Sequence, residues 1–204
     1  RMVIVQPSVY GTQNEVSLDA AEQFGLDRAR VVVVIDDSVV RGTTLEKSIL
    51  TTLDKLNPKR IVIVSSAPQI RYPDCYGIDM SRMKEFIAFR AAIALIKERK
   101  MENLLDQVYE SCVSQPYNSE NFVKQVYAPF TDQEISDKVA EIVTTPEIHA
   151  EVKVIFQTVD NLHKCIPDHL GDWYFTGDYP TTGGTRVVNR AFANYMEGKV
   201  VRAY

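Results

Sequence analysis

Two adjacent carboxylates, Asp36 and Asp37, stand between an apolar run and a glycine–threonine turn in the stretch Val31-Val32-Val33-Val34-Ile35-Asp36-Asp37-Ser38-Val39-Val40-Arg41-Gly42-Thr43-Thr44. Carboxylates accept hydrogen bonds from sugar hydroxyls and ligate magnesium. Gly42 lets the backbone turn closely, and the amides and hydroxyls of Thr43 and Thr44, at the start of a helix, form an anion site. The acids cannot face that anion, because two like charges about 4 Å apart cost on the order of 4 kcal/mol at an effective dielectric of 20. They must face hydroxyls or a metal ion instead. A ribose carrying a 5-phosphate and a metal-bound pyrophosphate has all three features.

The elements that position these groups are legible around them. Five consecutive β-branched residues, Val31 to Ile35, predict a parallel strand buried on both faces. Ligands of open parallel sheets sit at the carboxyl ends of strands, where Asp36 falls. Thr43 predicts an N-cap for a helix from Thr44 to Leu56, with Leu45, Ile49, Leu53 and Leu56 on its apolar face and Asn57-Pro58 ending it. A second strand is predicted over Ile61 to Val64, a weaker one at Met2 to Val5 and a fourth at Val152 to Phe156.

Two other readings compete. In one, Asp36-Asp37 is a surface turn and Thr43 with Glu46 is an ordinary capping box. In the other, the acids belong to a phosphoacceptor receiver domain, which has no need of Arg41-Gly42-Thr43-Thr44. The complete string favours the sugar-phosphate site.

The segment from Val34 to Thr44 resembles the phosphoribosyl pyrophosphate signature of type I phosphoribosyltransferases, and its Ser-Val-Val-Arg-Gly-Thr-Thr ending is similar to the amidophosphoribosyltransferase family. Ser65 to Pro73, Tyr76 to Met80, Glu85 to Ala88 and Phe175-Thr176-Gly177-Asp178-Tyr179-Pro180 are similar to other parts of that family. The resemblance implies an α/β chain with a partial type I phosphoribosyltransferase fold, a parallel sheet flanked by helices, with a helical insertion and a carboxyl-terminal extension. It also implies that Asp36 and Asp37 hold the ribose hydroxyls and Mg2+, while Ser38, Arg41, Gly42, Thr43 and Thr44 wrap the 5-phosphate. None of these is a nucleophile. In the family, ammonia released from glutamine by an amino-terminal domain displaces pyrophosphate from carbon 1 of the ribose, giving phosphoribosylamine for purine synthesis. The partners implied are phosphoribosyl pyrophosphate, purine nucleotides, that glutaminase domain and further copies of the chain. A noncatalytic, nucleotide-binding regulatory module is the alternative.

Departures from the family pattern shape further expectations. Residue 1 is Arg, and no amino-terminal cysteine or glutaminase-like segment is visible, so the chain reads as the carboxyl-terminal part of a longer enzyme and by itself is expected to be inactive with glutamine. Residues 1–30 read as a remnant of an upstream segment and the active-site loop. Residues 31–96 read as half of a phosphoribosyltransferase domain, 97–145 as a helical insertion with the helix after it, and 146–204 as a terminal strand, helix and aromatic tail. The stretch without a counterpart in the family runs from about Phe89 to Phe130. Where some members carry a C-x-x-C pair for an iron–sulfur cluster, this chain has Gly171-Asp172-Trp173-Tyr174, Cys75 is one residue out of place, and Cys112 and Cys165 lack such a partner, so no cluster is expected.

His163, Cys165 and His169 are the other metal-ligand types in proximity; His163 and Cys165 fall on different faces of a helix, so helix-end histidines are the expectation. Arg71 and Asp79 read equally as substrate contacts or as pins of a proline-rich loop. Thr131-x-x-Glu134 predicts a capping box opening a helix through about Val143, and another capped helix starts near Thr158. Met101 to Cys112 is amphipathic, Lys97-Glu98-Arg99-Lys100 is a solvated helix end, and 114–119 is a loop. Trp173, Tyr174, Phe175, Tyr179 and Phe192 suit packing against a neighbouring domain.

Composition excludes several classes. With 45% hydrophobic and 25% charged residues, 204 residues can bury a core. A net charge of -4 gives no basic field for nucleic acid. Three scattered cysteines suit a reducing compartment, and Phe86 to Ile96, the longest apolar stretch, is too short to span a bilayer. A cytoplasmic location, without membrane contact, is expected.

Overall fold

The computed structural model describes residues 2–5, 31–74, 80, 82–115, 120–169 and 171–203. Four parallel strands, β1 (Met2–Val5), β2 (Val31–Asp36), β3 (Arg60–Ser65) and β4 (Glu151–Phe156), lie side by side in chain order. Both weaker predicted strands therefore join the sheet. The β2–β3 register pairs Val31 with Arg60 and Asp36 with Ser65, so the two carboxyl ends finish level. Val34, Ile61, Ile63 and Val154 share one face of the sheet and are buried, whereas Val33, Ile35, Val62 and Val64 on the opposite face are half-buried, so the burial of β2 on both faces expected from its β-branched run is complete on one face only.

The first helix, α1, covers 43–54 and consists of a π turn at Leu45–Ile49 followed by an α segment at Leu50–Asp54. It differs from expectation at both ends. The amide of Glu46 donates to the Gly42 carbonyl at 2.9 Å, so Gly42 takes the capping position and Thr43 lies inside the helix. At the other end Asn57 adopts a left-handed φ of 51°, and Leu56, 56% exposed, is off the apolar face.

The remaining helices are α2 (Ile87–Glu98), α3 (Asn103–Ser114), α4 (Lys124–Tyr127), α5 (Asp132–Val143), α6 (Val159–Cys165), α7 (Trp173–Thr176) and α8 (Thr182–Met196). A 3-10 turn at Met83–Glu85 leads into α2. With Ile87, Ala88, Phe89, Ala91, Ala92 and Ile96 all buried, α2 is a core helix packed on α5. The helix is continuous across Phe89, where the stretch expected to lack a counterpart in the family begins. The predicted capping box is present at α5, where Thr131 Oγ1 accepts from the Glu134 amide and the Glu134 carboxylate accepts from the Thr131 amide. Thr158 likewise caps α6.

One cluster of buried apolar side chains extends from Val34 to Phe192. The aromatic tail belongs to it. Phe192 is fully buried, its ring 6.3 Å from Phe89, and Tyr174, Phe175 and Tyr179 pack on the same core. Tyr174, Phe175, Tyr179 and Phe192 thus pack on this chain's own core, whereas the sequence predicts packing against a neighbouring domain; Trp173 lies beside Tyr174 and Tyr179. Among the described residues no helix is long and apolar enough to cross a membrane.

Candidate functional site

The carbonyls of the acidic pair are tied to the segment leaving β3. The Ser66 amide donates to the Asp36 carbonyl at 2.9 Å and the Ala67 amide to the Asp37 carbonyl at 3.0 Å, with the Ser66 hydroxyl reaching both. The backbone of the pair is thereby fixed at the carboxyl edge of the sheet. Asp36 is half-buried and Asp37 exposed. Asp36 Oδ1 accepts the Asp37 amide at 3.0 Å. Its carboxyl pKa is raised, first by burial and then by the neighbouring Asp37 carboxylate, while the Asp37 amide opposes the shift. A pair in this state suits a hydroxyl donor or a divalent cation, either of which offsets the repulsion between the two acids.

The chain then dips into the core and returns. Val39 is buried, and the Ile87 amide donates to the Val40 carbonyl at 2.8 Å, so the first residue of α2 holds the loop. Gly42 follows with φ of 71°, a conformation in which side chains are strained. A Cβ there would also lie 3.2 Å from Ile87 Cδ1 and from Val143 Cγ1. Both constraints select glycine.

Helix geometry leaves the amides of Thr43, Thr44 and Leu45 without acceptors inside α1. The Thr43 and Thr44 side chains are exposed beside them. An anion approaching this end meets main-chain donors, two hydroxyls and the positive end of a helix. The π turn at Leu45–Ile49 was not foreseen; it places an i to i+5 bond, Leu50 amide to Leu45 carbonyl, directly behind the anion site.

Arg41 is placed differently from the rest of the loop. Its Nη2 lies 2.9 Å from Glu85 Oε2, and Glu85 also accepts from Arg82 Nη1 at 3.2 Å. The side chain thus contributes to docking the loop on the 3-10 turn before α2. Ser38 is half-buried between the acids and Val39.

Arg71 makes the contacts of a residue that pins its loop. Its guanidinium donates to Gln69 Oε1 at 2.7 Å, pairs with Asp132 and lies 5.2 Å from the centroid of the Tyr127 ring. Its own amide and that of Tyr72 donate to the Tyr174 carbonyl, and its carbonyl accepts from the Tyr127 hydroxyl. Asp79, Cys75 and the 116–119 part of the predicted loop lie outside the described residues, as does 6–30, which includes most of the segment assigned to the active-site loop.

The residues at the iron–sulfur positions offer no thiolate. Gly171 lies against the Trp173 ring, where a Cβ would be 1.9 Å from Cζ3, and Tyr174 holds the Arg71 loop. Cys112 is buried in α3, and Cys165 is exposed at the end of α6. This donor set does not fit such a cluster.

His163 and His169 do come together, without Cys165. Their rings stack with centroids 4.4 Å apart, and His163 Nε2 lies 2.8 Å from Asp172 Oδ2. Asp172 was absent from the sequence reading of this group. Its spacing from His163 follows no ligand pattern because a turn, not a helix face, joins them.

No protein-family profile matches the chain. Part of it is similar to the amidophosphoribosyltransferase of Haemophilus influenzae, with 45% identity over 67 residues, 33% of this chain and 13% of the relative. That of Escherichia coli is 39% identical over 71 residues, 35% of this chain and 14% of the relative. That of Bacillus subtilis is 33% identical over 94 residues, 46% of this chain and 20% of the relative. The resemblance to amidophosphoribosyltransferases therefore holds over part of the sequence, and the matched stretch spans a fifth or less of the length of these three relatives.

Proposed function

We propose that this chain is part of an amidophosphoribosyltransferase and supplies the half of its active site that binds ribose and the 5-phosphate. One observation carries the reading: the acidic pair ends β2 at the sheet edge, and the buried Gly42 turn then presents the amino end of α1. Asp36 and Asp37 accept the ribose hydroxyls. Ser38, the backbone of Arg41 and Gly42, and Thr43 and Thr44 hold the 5-phosphate. The similarity to amidophosphoribosyltransferases supports transfer of ammonia to carbon 1 of phosphoribosyl pyrophosphate as the reaction of the whole enzyme. Ammonia from a glutaminase domain displaces pyrophosphate, giving phosphoribosylamine, the first step of purine synthesis.

That reaction develops positive charge on the sugar while a polyanion departs. Fixed carboxylates favour the first, and aligned amides hold the phosphate end so that carbon 1 keeps one orientation. Asp36 and Asp37 would also hold Mg2+, which when bound neutralises the pyrophosphate and makes it a better leaving group. No residue of the site is assigned as a nucleophile. The assembly is further proposed to be a cytoplasmic homo-oligomer without a resident iron–sulfur cluster.

Calorimetry with phosphoribosyl pyrophosphate and Mg2+ tests the reading. Charged hydrogen bonds contribute about 1.5–3 kcal/mol, so Asp37→Ala should weaken binding about 10- to 100-fold. Equal affinity in wild type and variant would remove the acidic pair from the site.

A further inference from the structure

We infer that His163, His169 and Asp172 form a binding site for a divalent transition metal ion, zinc by its chemistry, that fastens α6 to the turn before α7. One donor atom from each residue lies within 4.8 Å of the others. The site is separate from the acidic pair, and no residue of the phosphate loop contributes to it.

The sequence brings the trio together through a compact turn. The Ile166 amide closes α6 on the Leu162 carbonyl at 2.9 Å, and the His169 amide then bonds to the Ile166 carbonyl at 3.3 Å. His169 is thereby returned over the last turn of α6, where its ring stacks on His163 with an interplanar angle of 12°. Asp172 sits at the start of α7, its carbonyl accepting from the Phe175 and Thr176 amides.

The groups suit a metal better than they suit one another. Two imidazoles and a carboxylate are a zinc donor set that leaves a fourth position for water. A hydrogen bond between His163 and Asp172 uses one proton and leaves His169 with a stacking contact alone; a metal engages all three. Tetrahedral zinc holds its donors about 3–3.5 Å apart, given bond lengths of about 2.0–2.1 Å. The 2.8 Å His163–Asp172 separation needs a slight opening, and His169, exposed, can rotate inward. Support from the surroundings is already present: the Thr176 hydroxyl lies 3.2 Å from Asp172 Oδ1, leaving Oδ2 toward the histidines. Such outer contacts fix the orientation of ligating carboxylates. Imidazole and carboxylate donors select zinc, cobalt or nickel over magnesium or calcium.

Cobalt(II) titration of the metal-free chain, followed by visible absorption, reads the coordination directly, and calorimetry with zinc reads the affinity. One equivalent of cobalt should give the intense d–d bands of a four-coordinate site, displaced by zinc. His169→Ala leaves the His163–Asp172 pair and the Asp172 contacts in place, so it should fold as wild type yet bind zinc at least about 100-fold more weakly and lose the bands. Asp172→Asn should do the same, while Cys165→Ser should leave bands and affinity unchanged. Absence of the bands in wild type, their persistence in folded His169→Ala, or their loss in Cys165→Ser would overturn the site.

Discussion

The amide of Ile87 donates to the carbonyl of Val40 at 2.8 Å, joining the first residue of a core helix to the middle of the phosphate loop. The same Ile87 side chain closes the space beside Gly42. Loop shape is therefore set by α2 and α5 together with the loop's own Gly42. A loop held from behind keeps its amides facing outward without a ligand to organise them, which is the pre-organisation that anion binding needs.

Gly42→Ala tests that coupling. The left-handed φ of 71° and the 3.2 Å approach to Ile87 and Val143 both oppose a side chain. Strain of about 1–2 kcal/mol should lower Tm by about 2–8 °C in a thermal melt, and ribose 5-phosphate affinity should fall with it. An unchanged Tm and affinity would show that the loop tolerates a residue it was argued to exclude.

The capping box at α5 predicts a dependence on pH. Hydrogen bonds from the Thr131 amide, then from Arg99 and the Thr131 hydroxyl, pull the Glu134 carboxyl from 4.5 down to about 2. A depressed carboxyl stabilises the fold fully above its unfolded value and loses that contribution as pH falls toward the folded one. The Tm gap between wild type and Glu134→Gln should be widest near pH 7 and narrow as pH falls below 4.5 toward 2. Thr131→Ala, which removes the acceptor of the Glu134 amide at 3.2 Å, should cost about 1 kcal/mol and about 2–4 °C in Tm. A gap independent of pH would contradict the assignment.

Thiol labelling separates two cysteines. Burial pushes the Cys112 thiol up to about 12, whereas Cys165 is exposed. At pH 8 a maleimide should modify Cys165 readily and Cys112 only after unfolding in guanidinium, as located by peptide mass spectrometry. Rapid labelling of Cys112 in the native chain would mean that α3 does not stay packed.

Much of this architecture is legible locally. The β-branched run Val31 to Ile35 suits an inner strand, and β2 pairs with β1 on one side and β3 on the other, while Thr131 and Glu134 mark a helix start by reciprocal bonding within four residues. What escaped the sequence depends on partners far along the chain. Gly42, rather than Thr43, caps α1 because Ile87 and Val143 enforce the turn. Arg41 meets Glu85, and Arg71 meets Asp132, through contacts that no local spacing encodes. The π turn at Leu45–Ile49 has no periodic signature that distinguishes it from an α turn. Asp172 joined the histidines for the same reason: the turn between them, not the helical period, sets the approach.

Amide chemical-shift mapping with ribose 5-phosphate and Mg2+ on the nitrogen-15-labelled chain asks most directly whether the sugar-phosphate lies where it has been placed. Saturable shifts should concentrate at Asp37, Ser38, Gly42, Thr43 and Thr44, and Asp37→Ala should weaken them while inorganic phosphate reproduces the subset at Gly42 to Thr44. Shifts centred elsewhere, or none at these five amides at saturating ligand, would contradict the account.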